Sequence, residues 1–85
     1  VSVVCQGYGA FKARLEAFGL PYRENLVPAT PLWQLFVYDP NGIQLELTFH
    51  LAAEHEAVPL IAPERLYSAR ERWFQPALYR QFAAR

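Results

Sequence analysis

An α+β fold is what this 85-residue chain predicts, and two features carry the expectation. The first is a pair of apolar, alternating segments around Asp39-Pro40-Asn41-Gly42. The second is a stretch with apolar residues at helical spacing that ends on Gly19 and is closed by Pro21. Strand and helix signals both occur, within a length that suits one small domain.

Residues 1–5 read as a strand, with three Val, a Cys and only Ser2 polar. Residues 6–9 contain two glycines and read as a loop. Residues 10–18 read as a helix, because Phe11, Leu15 and Phe18 fall at i, i+4 and i+7. Gly19 suits the left-handed position past a helix end, and Pro21 blocks continuation. Residues 22–27 form a weaker strand, interrupted by Glu24-Asn25, and residues 28–31 a loop.

Residues 32–38 and 43–50 then make a hairpin. With Pro40-Asn41-Gly42 as a type I turn plus bulge, Phe36 lies opposite Glu46, Leu35 opposite Leu47 and Trp33 opposite Phe49. A one-residue slip would set Leu35 against Glu46 and exchange the faces, so the matched register is expected. One face is then apolar and packs under the helix. The other is mixed: Gln34, Phe36, Tyr38, Gln44, Glu46 and Thr48.

Residues 51–63 read as a connection, 63–74 as a helix with Pro63 in its first turn, and 77–84 as a last helical turn or two. The expected division is therefore a strand–helix–three-strand module over 1–50 and a connection with a helical tail over 51–85. Residues 1–59 hold 3 basic and 6 acidic side chains, net −3, and residues 60–85 hold 5 and 2, net +3. The tail is expected to dock on an acidic body, its own or a neighbour's, with Trp73 and Phe74 packing it down.

Composition excludes several classes. The 8 basic and 8 acidic residues cancel, which removes the electrostatic footprint of nucleic-acid binding. One cysteine excludes an internal disulfide framework and a thiolate zinc site, and points to a reducing, cytoplasmic setting. No apolar run approaches the roughly 18 residues of a membrane span. His50, Glu54 and His55 are spaced unlike the known zinc helices and read as connection residues. Cys5 alternates with Val1 and Val3 and reads as core.

The segment from Phe36 through Asp39-Pro40-Asn41-Gly42 to Phe49 resembles the vicinal oxygen chelate superfamily, which includes glyoxalase I, extradiol dioxygenases and bleomycin-resistance proteins. Its pattern places a Glu four residues after the Gly, here Glu46 after Gly42, and the resemblance covers residues 1 to about 49. It implies a βαβββ module, two of which form a cup around a divalent cation. By resemblance Glu46 is the metal ligand and catalytic carboxylate. The cation is Zn, Ni, Fe, Mn or Co, and Gln34, Phe36, Tyr38 and Gln44 contact a small-molecule substrate. A first-strand ligand, usually His, is expected just before Val1, so the chain reads as one half-module. It awaits a second module, or a second copy joined through open sheet edges, and is inactive alone. Isomerase or lyase chemistry is favoured over ring cleavage, because Phe36 stands where such dioxygenases carry a Tyr. Glu46 is otherwise an ordinary solvent-facing strand residue, and Gln34, Tyr38 and Gln44 merely amphipathic ones. Two other classes stay open: a metal-free, drug-sequestering binder of the same fold, and a plain α+β interaction domain.

Overall fold

The computed structural model describes residues 2–54 and 60–82. They run β1 (Ser2–Cys5), α1 (Tyr8–Ala17), β2 (Arg23–Leu26), β3 (Leu32–Tyr38) and β4 (Gln44–His50). Short 3-10 segments follow at Leu51–Ala53, Pro63–Arg65 and Pro76–Phe82. The strands form one mixed sheet in the order β1-β4-β3-β2. β1 is parallel to β4, and the other two pairings are antiparallel. The first and last strands are therefore neighbours, and α1 crosses between the two edges of the sheet.

The hairpin adopts the expected register, with Trp33 opposite Phe49, Leu35 opposite Leu47 and Phe36 opposite Glu46. Its loop closes through Gly42 N–H to the Asp39 carbonyl at 3.0 Å and Asp39 N–H to the Ile43 carbonyl at 2.9 Å. The Asp39 carboxylate also accepts the N–H groups of Asn41 and Ile43 at 2.9 and 2.8 Å. Gly42 has φ 84, and an added Cβ would come within 3.1 Å of the Phe74 ring. Glycine suits this position because of its left-handed backbone, and a side chain here would press on the Phe74 ring.

α1 begins two residues earlier than its apolar spacing suggests and ends where Gly19 predicts. Leu20 N–H reaches the Leu15 carbonyl at 2.9 Å and Gly19 N–H the Glu16 carbonyl at 3.0 Å, with Gly19 at φ 68. These are the paired bonds of a Schellman motif. The N-terminus is closed from afar. The Glu54 carboxylate accepts Gly7 N–H at 2.9 Å and Tyr8 N–H at 3.0 Å, joining the helix start to the segment after β4.

Tyr8, Tyr22, Trp33, Leu35, Val37, Leu47 and Phe49 form the buried cluster between sheet and helix, with Cys5, Phe11 and Leu15 packed against it. β2 is continuous through Glu24, although a carboxylate there interrupts the apolar pattern. Glu24 faces α1 and is 2% exposed, and the Lys12 ammonium lies 2.8 Å from its Oε1. A buried carboxylate is tolerable when a cation meets it.

The tail differs from expectation. No helix forms over 63–74. After the turn Pro63–Arg65 the chain runs extended, and Leu66 bridges Glu24 in parallel along the β2 edge. A helix over these residues would gather Leu66, Tyr67, Trp73 and Phe74 on one side, so the spacing alone allows one; Tyr67 stacks on Phe36 and Trp73 and Phe74 meet Tyr38 from a non-helical backbone. The rings dock on the sheet instead. The expected last turn appears as the 3-10 segment Pro76–Phe82. Among the described residues no helix is long and apolar enough to cross a membrane.

Candidate functional site

Glu46 projects from β4 on the side away from α1. Its register partner on β1 is Ser2 and on β3 is Phe36. The Ser2 hydroxyl donates to Glu46 Oε2 at 3.1 Å. The carboxylate thus sits where the first and last strands meet. Among the described residues no group of three His, Cys, Asp or Glu side chains gathers to hold a metal ion. Protein zinc sites take at least three protein ligands. The described residues bring one carboxylate and one hydroxyl, so they do not build such a centre by themselves. His55 lies outside the described residues. Glu54 is engaged in closing α1.

The other expected site residues share this face of the sheet but meet different surroundings. Gln34 accepts the Asn25 amide N–H at 2.9 Å across the β2–β3 pair. Gln44 lies opposite Tyr38 near the turn. Phe36 is 4% exposed, because the Tyr67 ring stacks on it at 3.8 Å and 14°. Tyr38 takes the edge of Trp73 at 4.5 Å and the Phe74 ring at 5.1 Å. The face is therefore divided. Its β1–β4 half, with Ser2, Val4 and Glu46, is not covered by these rings. Its β2–β3 half lies under the tail.

Arg23 organises the covered half, and the sequence offered only strand alternation as a hint of it. Its Nε and a terminal nitrogen donate to the two Glu71 oxygens at 3.0 and 2.9 Å. Its other terminal nitrogen donates to the Tyr22 carbonyl at 3.0 Å, and the guanidinium lies 4.7 Å from the Trp73 ring centre. These hydrogen bonds hold the Glu71 carboxyl below the usual carboxylate range. The tail does dock on its own body. Among the described residues its ion pair with the body, Glu71 to Arg23, nevertheless runs opposite to the overall charge split, with an acidic tail residue meeting a basic strand residue.

Two hollows lie elsewhere. One, of about 400 Å³, runs beside α1 along Ala10, Phe11, Leu15 and Phe18. The other, of about 460 Å³, lies between the end of α1 and the tail, beside Glu16, Arg65 and Gln75. Neither includes Glu46 or the other expected site residues. Near the second, Tyr22 donates to Glu16 at 2.8 Å and carries Arg65 over its ring at 4.1 Å. Burial first, and then the Glu16 hydrogen bond, push the Tyr22 phenol up to about 12.

Comparison of the chain with protein-family models, with curated proteins and with solved structures returns no match.

Proposed function

We propose that this chain is one half of a two-module cup of the glyoxalase/dioxygenase kind. In that cup Glu46 offers a carboxylate to a divalent cation, and the cation chelates a small molecule through neighbouring oxygens. The supporting observation is the adjacency of β1 and β4, with Glu46 directly across from Ser2 on the face away from α1. Side chains on neighbouring strands can converge on one point, as a shared ligand set requires. Because the described residues contribute a single carboxylate, the rest of the ligand set would lie outside them, in part on a second module. A bound cation would supply Lewis acidity. The residues of this chain would supply the negative charge of Glu46, oriented by the Ser2 hydroxyl.

The second module joins at β1. That edge carries no charge, proline or bulge, and Val4 is 70% exposed on it. Bare edges of this kind invite a strand partner. Isomerase or lyase chemistry stays favoured over ring cleavage, because a Phe rather than a phenol lies opposite Glu46. The second reading, sequestration of a ligand without chemistry, is favoured by the thirteen aromatic residues of the chain, more than a polar catalytic cup would need.

Metal content separates the two. Protein carrying both modules and purified without chelator is expected to hold a transition metal by elemental analysis and to lose it on Glu46→Ala. Finding no metal, and no response to added Ni(II), Zn(II) or Fe(II), would leave only the sequestering reading.

A further inference from the structure

The tail meets the covered half of the sheet as a ligand would. Tyr67 lays a flat ring on Phe36 with centroids 3.8 Å apart. Four residues later Glu71 places both carboxylate oxygens on the Arg23 fork, at 3.0 and 2.9 Å. Between them the chain makes one tight turn, closed by Glu71 N–H to the Ser68 carbonyl at 3.1 Å. Arg23 and Phe36 are register partners on adjacent strands, so ring and fork stand side by side on one face.

We propose that the bow formed by residues 66–71 is a built-in competitor for a binding site on the β2–β3 half of the sheet. The site takes a small aromatic carboxylate: Phe36 stacks the ring, and Arg23 pairs with the carboxylate.

Three observations carry the proposal. First, the receiving groups are held in place by contacts other than the bow. Arg23 is fixed by the Tyr22 carbonyl at 3.0 Å and by the Trp73 ring at 4.7 Å. Phe36 lies within β3, between β2 and β4. A planar fork held this way selects a planar, bidentate anion.

Second, the bow is weakly attached. It contains no helix or strand. Its backbone tie to the sheet is the bridge at the β2 edge, with Tyr67 N–H donating to the Glu24 carbonyl at 2.9 Å. The Glu71 side chain is 41% exposed, and ion pairs so open to water contribute little to stability.

Third, lifting the bow leaves the main core intact. None of its residues belongs to the cluster under α1. Trp73, 4% exposed, and Phe74, packed on Gly42, pin the chain beyond the bow. A ligand can therefore replace Tyr67 and Glu71 without unfolding the sheet. The site shares a face with Glu46 but needs no cation and no second module, so it stands or falls separately from the proposed cup.

The test is titration of the 85-residue chain with 2-naphthoate, and with the neutral 2-naphthylmethanol, by calorimetry. Glu71→Ala removes the competing carboxylate from an exposed position. It should tighten naphthoate binding about tenfold, the gain from freeing a site that the bow fills roughly nine-tenths of the time. Arg23→Lys added to Glu71→Ala should abolish that gain, and the neutral alcohol, which offers Arg23 no carboxylate, should bind Glu71→Ala far more weakly than naphthoate does. An unchanged naphthoate affinity in Glu71→Ala, or alcohol binding as tight as that of naphthoate, overturns the proposal. If a variant fails to fold, amide exchange in the unaltered chain decides. Saturating naphthoate should speed exchange of the Tyr67 amide and leave the β3 amides protected. A Tyr67 amide that does not respond overturns the proposal.

Discussion

The two faces of the sheet are covered by different means. On one side a ten-residue helix, closed at both ends, lies over Trp33, Leu35 and Phe49. On the other an irregular segment covers Phe36 and Tyr38 with its rings and one exposed ion pair. A helix satisfies most of its own backbone, so it needs only packing from the sheet. The tail must borrow: its Tyr67 amide is satisfied by the edge carbonyl of Glu24. Covering a face in this second way yields a layer that can open locally while the rest stays folded. The same contrast holds at the edges, where the tail lies along β2 and β1 presents uncharged, exposed valines.

The largest test of this contrast compares two tryptophans, one per face. Trp33→Ala, beneath α1, should cost about 3–5 kcal/mol in urea unfolding, as large-to-small core changes do. Trp73→Ala should cost less, about 1–3 kcal/mol, because once the tail detaches further loss no longer reaches the sheet. Equal losses would make the two faces one cooperative unit.

Next in size is Glu54→Gln, which removes the charge facing the Gly7 and Tyr8 amides. Loss of about 1 kcal/mol is expected, as for other helix caps, with faster hydrogen exchange in the first turn of α1. Unchanged exchange there would mean that the carboxylate does not hold the helix start.

The smallest effect is that of acid on the Arg23–Glu71 clamp. The Glu71 carboxyl is lowered in the folded chain, so its contribution is fully present above the ordinary Glu value of about 4.3 and fades as pH falls through the lowered one. The Arg23 Nε–H resonance should move in that acid window while the signals of Trp33 stay fixed. A movement centred at or above the ordinary Glu value would count against the clamp.

What could be read in advance was local. The hairpin register follows from strict alternation over residues 43–50 and from a loop whose Asp39, Pro40 and Gly42 each suit one turn position. The end of α1 follows from Gly19. The face that carries Glu46 follows from the same alternation. The start of α1 was not legible, because the group that closes it is Glu54, far along the chain. Glu24 looked like a break in β2, because Lys12, which compensates it, comes from another element. The tail looked helical because its composition and Pro63 allow a helix. Whether its rings turn toward Phe36 and Tyr38 depends on a surface that exists only after the hairpin has formed.

By itself, then, the sequence determined the order of strands and helix, the hairpin pairing and the two faces it creates, since backbone preference and alternation act over a few neighbouring residues. Only the tertiary structure decided which elements cover those faces, how Arg23 and Glu71 meet, and that half of the face bearing Glu46 is already occupied. Aromatic rings and charged groups are satisfied by any partner of the right shape and sign, so their pairing is set by where the folded chain brings them rather than by spacing along it.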